Sequence, residues 1–205
     1  MPGSYIRRHI NNLPDDKPFS IRDFLIYGPR HTVDQVFHRL VAQGRIIRLA
    51  RGVYIKEESR RMPSLTEIIA VKVASFNRKI VIHGSKAATK LTKEGENQTP
   101  IVFATNGASS AFRVGNYIVR LIRASTRKIQ SGDSPTGLAI RALWHLGKRG
   151  CDAEIAAKMV WRFQQNDRKE LRRSAALMPQ WLRDCFACFA RMNCFRSDLE
   201  TLAIY

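Results

Sequence analysis

Arg30, His31, Thr32, Gln35, His38 and Arg39 fall in one short stretch, and Arg45, Arg48 and Arg51 follow it at intervals of three. These are the residue types that read nucleic acid. An arginine fork suits guanine O6 and N7, a glutamine amide suits adenine N6 and N7, and cap hydroxyls or first-turn amides suit phosphate. Asp34 is the lone acid among them, with three roles open to it. It can accept from cytosine N4, pair with Arg30, or favour the N-terminus of a helix. The plain alternative is a solvated polar face, which most exposed helices carry. Against that stand a tight turn before the stretch, a hairpin directly after it, and a solvent face almost free of acid.

For these groups to share a surface, one helix and one hairpin must present them. Val33, Val36, Phe37, Leu40 and Val41 recur at i, i+3, i+4, i+7 and i+8, which predicts a helix over 32–43 with those residues inward. The spacing Thr32-x-x-Gln35 predicts a capping box at its start, leaving Arg30 and His31 just before the cap, and Gly44 closes its end. Beyond Gly44 the period drops to about two. Ile46, Ile47 and Leu49 lead into Ala50-Arg51-Gly52, and Val53, Tyr54 and Ile55 lead out, a short hairpin over 45–55. Upstream, Tyr5, Ile6, His9, Ile10 and Leu13 form a helical stripe. Ser20 with Asp23 caps a short helix that turns Ile21, Phe24 and Leu25 inward, and Tyr27-Gly28-Pro29 forces a turn. That order is the plan of a winged helix-turn-helix.

The rest of the chain predicts a different architecture. Ser64-x-x-Glu67 caps a helix from Leu65 to about Phe76. Strands are predicted over Lys79–His83, Pro100–Thr105 and Tyr117–Arg123, with a helix over Ser85–Leu91 and turn signals at Asn106-Gly107 and Gly115-Asn116. From Ser134-Pro135 onward the pattern is helical. Asp152 and Asp167-x-x-Glu170 open further helices, and Trp181–Met192 forms the last. The fold class expected is α+β. A winged helix-turn-helix domain spans 1–58, and a mixed α/β domain spans 59–205, its sheet layer at 59–130 and its helical part at 131–205.

Charge narrows the partner. The 205 residues carry 35 Lys and Arg against 17 Asp and Glu, a net +18, which exceeds the magnitude of about 2–8 that solubility asks of a small domain. Hydrophobic residues at 44% still place the chain among globular proteins. The excess is spread through patterned segments: +6 over 1–56, +8 over 57–131 and +4 over 132–205. A disordered basic tail would concentrate it instead. No apolar run reaches the length of about 20 residues that a membrane span requires, and no single helix pairs a basic face with a broad apolar one. Nucleic acid is therefore the first partner expected and a membrane surface is set aside. Lys86, Lys90, Lys93, Arg113, Arg120 and Arg123 in the +8 segment form a candidate second nucleic-acid surface. With that surface in play, a structured RNA is the alternative to duplex DNA. The start MPGSYIRRHINNLPDD has no apolar h-region, and four cysteines in such a chain point to reduced thiols and a cytoplasmic protein.

The stretch Phe19–Tyr54, above all VDQVFHRLVAQGRIIRLARGVY, resembles the N-terminal winged helix-turn-helix of AbiEi-type antitoxins. In that family a helix carries Leu-x-x-x-Gly, then Ile, then a basic and apolar run ending in Arg-Gly-Val/Leu-Tyr. Leu40, Gly44, Ile46, Arg48, Arg51, Gly52, Val53 and Tyr54 stand at those places. HGSKAATKL, TPIVFATNG and the Gly115-Asn116-Tyr117-Ile118-Val119 strand are similar to the family's C-terminal domain, so the resemblance spans most of the chain. It implies a DNA-binding transcriptional repressor that acts on repeats in the promoter of its own operon. It also implies opposition to a separately encoded nucleotidyltransferase toxin, usually without a stable complex between the two. The basic C-terminal domain is tied in that family to antitoxicity and to extra DNA contact.

Other motifs carry less. His83-Gly84-Ser85-Lys86 sits between a strand and a helix, yet it lacks the spacing that wraps phosphates in backbone amides. A structural turn, or at most one backbone phosphate at the helix start, is the expectation. Cys185-x-x-Cys188 with Cys194 looks like half a zinc site, but Trp181, Leu182, Cys185, Cys188, Phe189 and Met192 share one helical face, which predicts core packing; Cys151 is distant in sequence. The five histidines and the scattered acids form no catalytic set, so neither an enzyme, a cofactor nor a metal is expected.

Overall fold

The computed structural model describes residues 2–92, 100–151, 153–160 and 163–192. In chain order the elements are α1 (Pro2–Asn12), β1 (Phe19–Ser20), a 3-10 helix (Ile21–Tyr27), α2 (Arg30–Ala42), β2 (Ile46–Ala50), β3 (Val53–Lys56), α3 (Leu65–Ala74), β4 (Ile80–Ile82) and α4 (Gly84–Thr92). They continue with β5 (Ile101–Thr105), β6 (Ser110–Val114), β7 (Tyr117–Arg123), α5 (Thr126–Gln130), α6 (Pro135–Gly150), α7 (Ala153–Val160), α8 (Gln165–Arg173), a second 3-10 turn (Ala175–Leu177) and α9 (Gln180–Met192). The protein is thus mixed α and β. It divides into two compact units, residues 1–79 with 111–119, and residues 80–110 with 120–205. Among the described residues, no helix is long and apolar enough to cross a membrane.

The first unit is organised by rings. Phe37 on α2 lies 5.1 Å from Phe24 of the 3-10 helix and 4.9 Å from Tyr54 of β3, centroid to centroid, and Phe19 of β1 stands within 6.5 Å of all three. Aromatic pairs in tilted or edge-on geometry add to ordinary apolar burial, so these rings clamp four elements together. Ile6 and Ile10 of α1, Val33, Val36 and Leu40 of α2, and Ile46 of β2 complete this core. Ser20 caps the 3-10 helix as its spacing predicts, accepting from the Arg22 amide at 3.1 Å while its own amide donates to Asp23. At the end of α2, Gly44 takes φ +66°, and the amides of Arg45 and Gly44 donate to the carbonyls of Leu40 and Val41. That is a Schellman closure, and a side chain at Gly44 would strain it.

Two details of α2 differ from expectation. The helix opens at Arg30 on Pro29, whose φ of −63° already suits helix entry, and Thr32 does not cap it. The Thr32 amide donates instead to the Pro29 carbonyl at 3.0 Å, which makes Arg30 and His31 first-turn residues. Val41, expected inward, is 37% exposed, because its side of the helix turns toward the hairpin and away from the ring core.

The hairpin pairs β2 with β3, and β3 also pairs with β1, Phe19 opposite Tyr54. A bulge separates Arg48, opposite Tyr54, from Ala50, opposite Val53, and Gly52 turns at φ +80°. β2 continues on its other edge to β6, through Ala50 and Val114. The Ser64–Glu67 box caps α3 as predicted, and α3 packs on β1 and β3. The unit therefore runs past residue 58, where the sequence puts a boundary, to Lys79.

In the second unit β4 pairs antiparallel with β5, Val81 opposite Ala104, and β5 neighbours β7. Strand β6 and helix α5 carry no clear apolar alternation or stripe and are not predicted by the sequence. The helical core gathers Ala87, Ile140, Leu143, Leu171, Met178, Leu182 and Phe186. Gly84 lets α4 lie against α6: a Cβ there would come within 2.6 Å of the Arg141 carbonyl oxygen, which gives the His83-Gly84-Ser85 turn a packing reason. α8 begins at Gln165, so the box is Gln164 with Asp167, not Asp167 with Glu170, and Glu170 instead accepts from Ser134 Oγ at 2.7 Å. Asp152 lies outside the described residues.

Removing the central ring tests this organisation. Phe37→Ala should cost about 3–5 kcal/mol of stability by denaturant unfolding, the loss typical of a fully buried phenylalanine. A loss under about 1 kcal/mol would be typical of a surface site and would show that α2 is not held by the rings.

Candidate nucleic-acid interface

A cleft of about 290 Å³ opens between α2 and the β2–β3 hairpin, lined by Arg30, Asp34, His38, Val41, Arg48, Arg51, Gly52 and Tyr54. The helix turns Arg30, Asp34 and Val41 to the hairpin side, since residues three and four apart share a face. Arg30 Nε donates to both Asp34 carboxylate oxygens at 2.9 Å, so the one acid of this surface pairs within its own helix. Tyr54 closes the floor, and burial raises its phenol above its ordinary pKa. His31, Gln35 and His38 occupy the solvent face of α2, opposite the buried valines, Phe37 and Leu40.

A cation from outside the predicted set joins them. Lys72 on α3 donates its Nζ to the Arg51 carbonyl oxygen at the hairpin turn. Its pKa is lowered, first by burial and then by the charges of Arg51, Arg30, Arg22 and Arg48. Five cations therefore share one neighbourhood. Phe76 steadies its edge, with the Arg22 guanidinium 4.4 Å from the ring centroid, Lys72 Nζ at 5.4 Å and Arg78 at 5.5 Å. The anchor of α3 is itself polar. Glu67 accepts from Arg61 at 2.7 Å and from the Ser64 amide at 2.7 Å, which together hold its carboxyl down at about 2. Lys72 sits some twenty residues beyond the hairpin, and a lone lysine on an apolar helix gives no local sign of where it points.

Residues 5–171 match DUF6088, a family of unknown function. The chain belongs to this family. No curated protein matches it.

In this DUF6088 chain the predicted residues divide by position. Arg30, His38, Arg48 and Arg51 meet in the cleft. His31 and Gln35 stand exposed on α2, Thr32 is half-buried with its hydroxyl 3.1 Å from His31 Nε2, and Arg39 is exposed on the flank of α2 away from the hairpin. Arg45 faces elsewhere, in a groove shared with Arg7, Asp15, Lys56 and Glu58. Lys56 in that groove is buried and donates to Asp15 at 2.9 Å, so acid and base alternate there.

Of the six residues of the second predicted surface, the side chains of Lys86, Arg113, Arg120 and Arg123 fall among the described residues. Arg120 and Arg123 point to opposite sides of β7, as strand positions three apart must, and Arg113 lies on β6. Lys86 is half-buried on α4; Lys93 and the side chain of Lys90 lie outside the described residues. Cys151, far from Cys185 in sequence, brings its Sγ to 3.2 Å from that of Cys185; Cys194 and the side chain of Cys188 also lie outside the described residues. Among the described residues no group of three or more His, Cys, Asp and Glu is placed to hold a metal ion.

Crowded cations make a clear demand on the free protein. Raising salt from about 0.01 M to about 0.15 M shortens the screening length from about 30 Å to about 8 Å and relieves like-charge repulsion. The melting temperature should therefore rise over that range, and rise less in Lys72→Gln. A melting temperature that falls with added NaCl would contradict the cluster.

Proposed function

We propose that the first unit is a winged helix-turn-helix and that the protein is a sequence-specific DNA-binding repressor. The cationic cleft between α2 and the hairpin carries this reading. In it α2 enters the major groove, where Gln35 and His38, with His31 beside them, meet base edges. Arg48 and Arg51 on the hairpin, with Arg30 and Lys72 behind them, bind phosphates on the flanking backbone. The pairing of Asp34 with Arg30 supports the same reading, because it removes the only acid from a surface that must approach a polyanion. Burial first and then repulsion depress Lys72, and the repulsive part is relieved when phosphate enters, so binding energy offsets part of a cost borne by the free protein. The order α1, 3-10 helix, α2 and then the β2–β3 hairpin fits the plan of three helices ending in a hairpin. The resemblance to AbiEi-type antitoxins extends the proposal to a regulator of its own operon, acting on promoter repeats and opposing a nucleotidyltransferase toxin without a stable complex.

Arg45 separates this surface from generic basic charge, since it is equally cationic and points to another groove. With duplex DNA from upstream of the gene, Arg48→Ala should weaken binding to all sequences alike and reduce the salt slope by about one. Gln35→Ala should cost about 1–3 kcal/mol at one base position only. Arg45→Ala should stay within about 0.5 kcal/mol of the parent. Equal affinity for upstream and unrelated duplexes, or tighter binding to structured RNA than to either, would sink the proposal.

A further inference from the structure

We propose that the second unit holds a pocket for a phosphoryl anion, formed by His83, Arg123, Lys128 and His145 where the ends of β4 and β7 meet α5 and α6. The cleft measures about 260 Å³. It is independent of the DNA-binding reading, which concerns other residues in the other unit.

The lining decides the sign of the ligand. It holds two imidazoles, the side chains of Arg123, Lys128 and Arg141, and no carboxylate. Arg141 is committed to the fold, 2% exposed, with Nε donating to the Ile82 carbonyl at 2.9 Å, one terminal nitrogen to Ser131 Oγ at 2.9 Å, and the other paired with Asp133. Asp133 is the nearby acid, and it is occupied by Arg141 and by the Ile82 amide at 2.9 Å. The charges of Arg123 and Lys128 therefore face the cleft without a carboxylate partner among the described residues. The backbone of Arg123 and the side chain of Lys128 are positioned. The Arg123 amide donates to Ser109 Oγ at 2.9 Å, and the Lys128 ammonium rides over the Trp144 ring at 5.0 Å.

His83 supplies a neutral donor. His83 Nδ1 accepts from the Ser85 amide at 3.2 Å, which leaves the ring proton on Nε2. Burial, His145 and Lys128 all lower its pKa, so the cleft already disfavours further positive charge. The His145 ring stands edge-on to His83 with centroids 5.6 Å apart. An anion between such groups gains hydrogen bonds and lifts that penalty. The first turn of α4 does not provide the site, because its Ser85 and Ala87 amides are spent on His83 itself.

Size sets the class of ligand. Pockets for whole small molecules run about 300–1,000 Å³, so this one suits a phosphoryl group with a few attached atoms and not an entire nucleotide. That chemistry is shared by free phosphate and by the terminal phosphate of a nucleic acid strand.

The test uses the full chain with assigned imidazole nitrogen resonances. Inorganic phosphate, a short 5′-phosphorylated oligonucleotide and its 5′-hydroxyl twin are titrated separately. Saturable shifts of His83 and His145 are expected with inorganic phosphate. Arg123→Gln and Lys128→Gln should each weaken binding by at least about tenfold, the loss of one charge-assisted hydrogen bond. Lys128→Arg should restore binding, and Arg45→Gln in the other unit should leave it unchanged. A larger effect of the 5′-phosphorylated strand than of its twin would support a strand end as the source, and equal effects would support free phosphate. Resonances of His83 and His145 that do not move with any ligand, or that move equally in the parent and both Gln variants, would overturn the proposal.

Discussion

One ring, Phe37, holds the elements of the first unit together. It sits against Phe24 and Tyr54, with Phe19 close by, and those rings belong to the 3-10 helix, β3 and β1. Through them α2 cannot rotate or slide against the hairpin without opening a cavity. That rigidity brings Arg30 beside Arg48 and Arg51 and leaves His31, Gln35 and His38 outward. Without it, five cations would relax apart. The apolar core thus keeps like charges close against a repulsion that the surface alone would relieve.

The second unit has its own constraint, the buried Arg141. Its guanidinium ties the end of β4 to the Ser131–Asp133 loop and to α6, so one side chain joins three segments. A buried charge with all three nitrogens hydrogen-bonded is costly to disturb, because removing one partner strands the rest. The same clamp takes Asp133 out of play and leaves Arg123 and Lys128 facing an acid-free cleft.

Local signals in the sequence were enough for much of the first unit. The stripe from Val33 to Leu40, the Gly44 closure, the Ser20 and Ser64 caps and the hairpin at Gly52 each depend on residues a few positions apart. The same local reading erred where tertiary packing chose between neighbours. Pro29 overrode Thr32 as the start of α2, and the hairpin drew Val41 outward. Lys72, Arg141 and the closeness of Cys151 to Cys185 arise from pairings across tens of residues, for which a single sequence carries no periodic mark. Strand β6 escaped for another reason: Ser110-Ala-Phe-Arg-Val114 is largely exposed, so its pairing with β2 leaves little alternation to read. The net charge of +18 could be counted at once, yet only the fold separates Arg48, in the cleft, from Arg45, in a groove that also holds acids.

On the function proposed for it, the first unit presents α2 and the hairpin as one DNA surface. Titrating the isotope-labelled full chain with duplex from upstream of its gene, and following each backbone amide by nuclear magnetic resonance, tests it most directly. The largest shifts should map to the exposed face of α2, to Arg48–Gly52 and to Lys72, while the Arg45 groove stays quiet. Shifts concentrated away from these residues, with α2 and the hairpin unmoved, would contradict it.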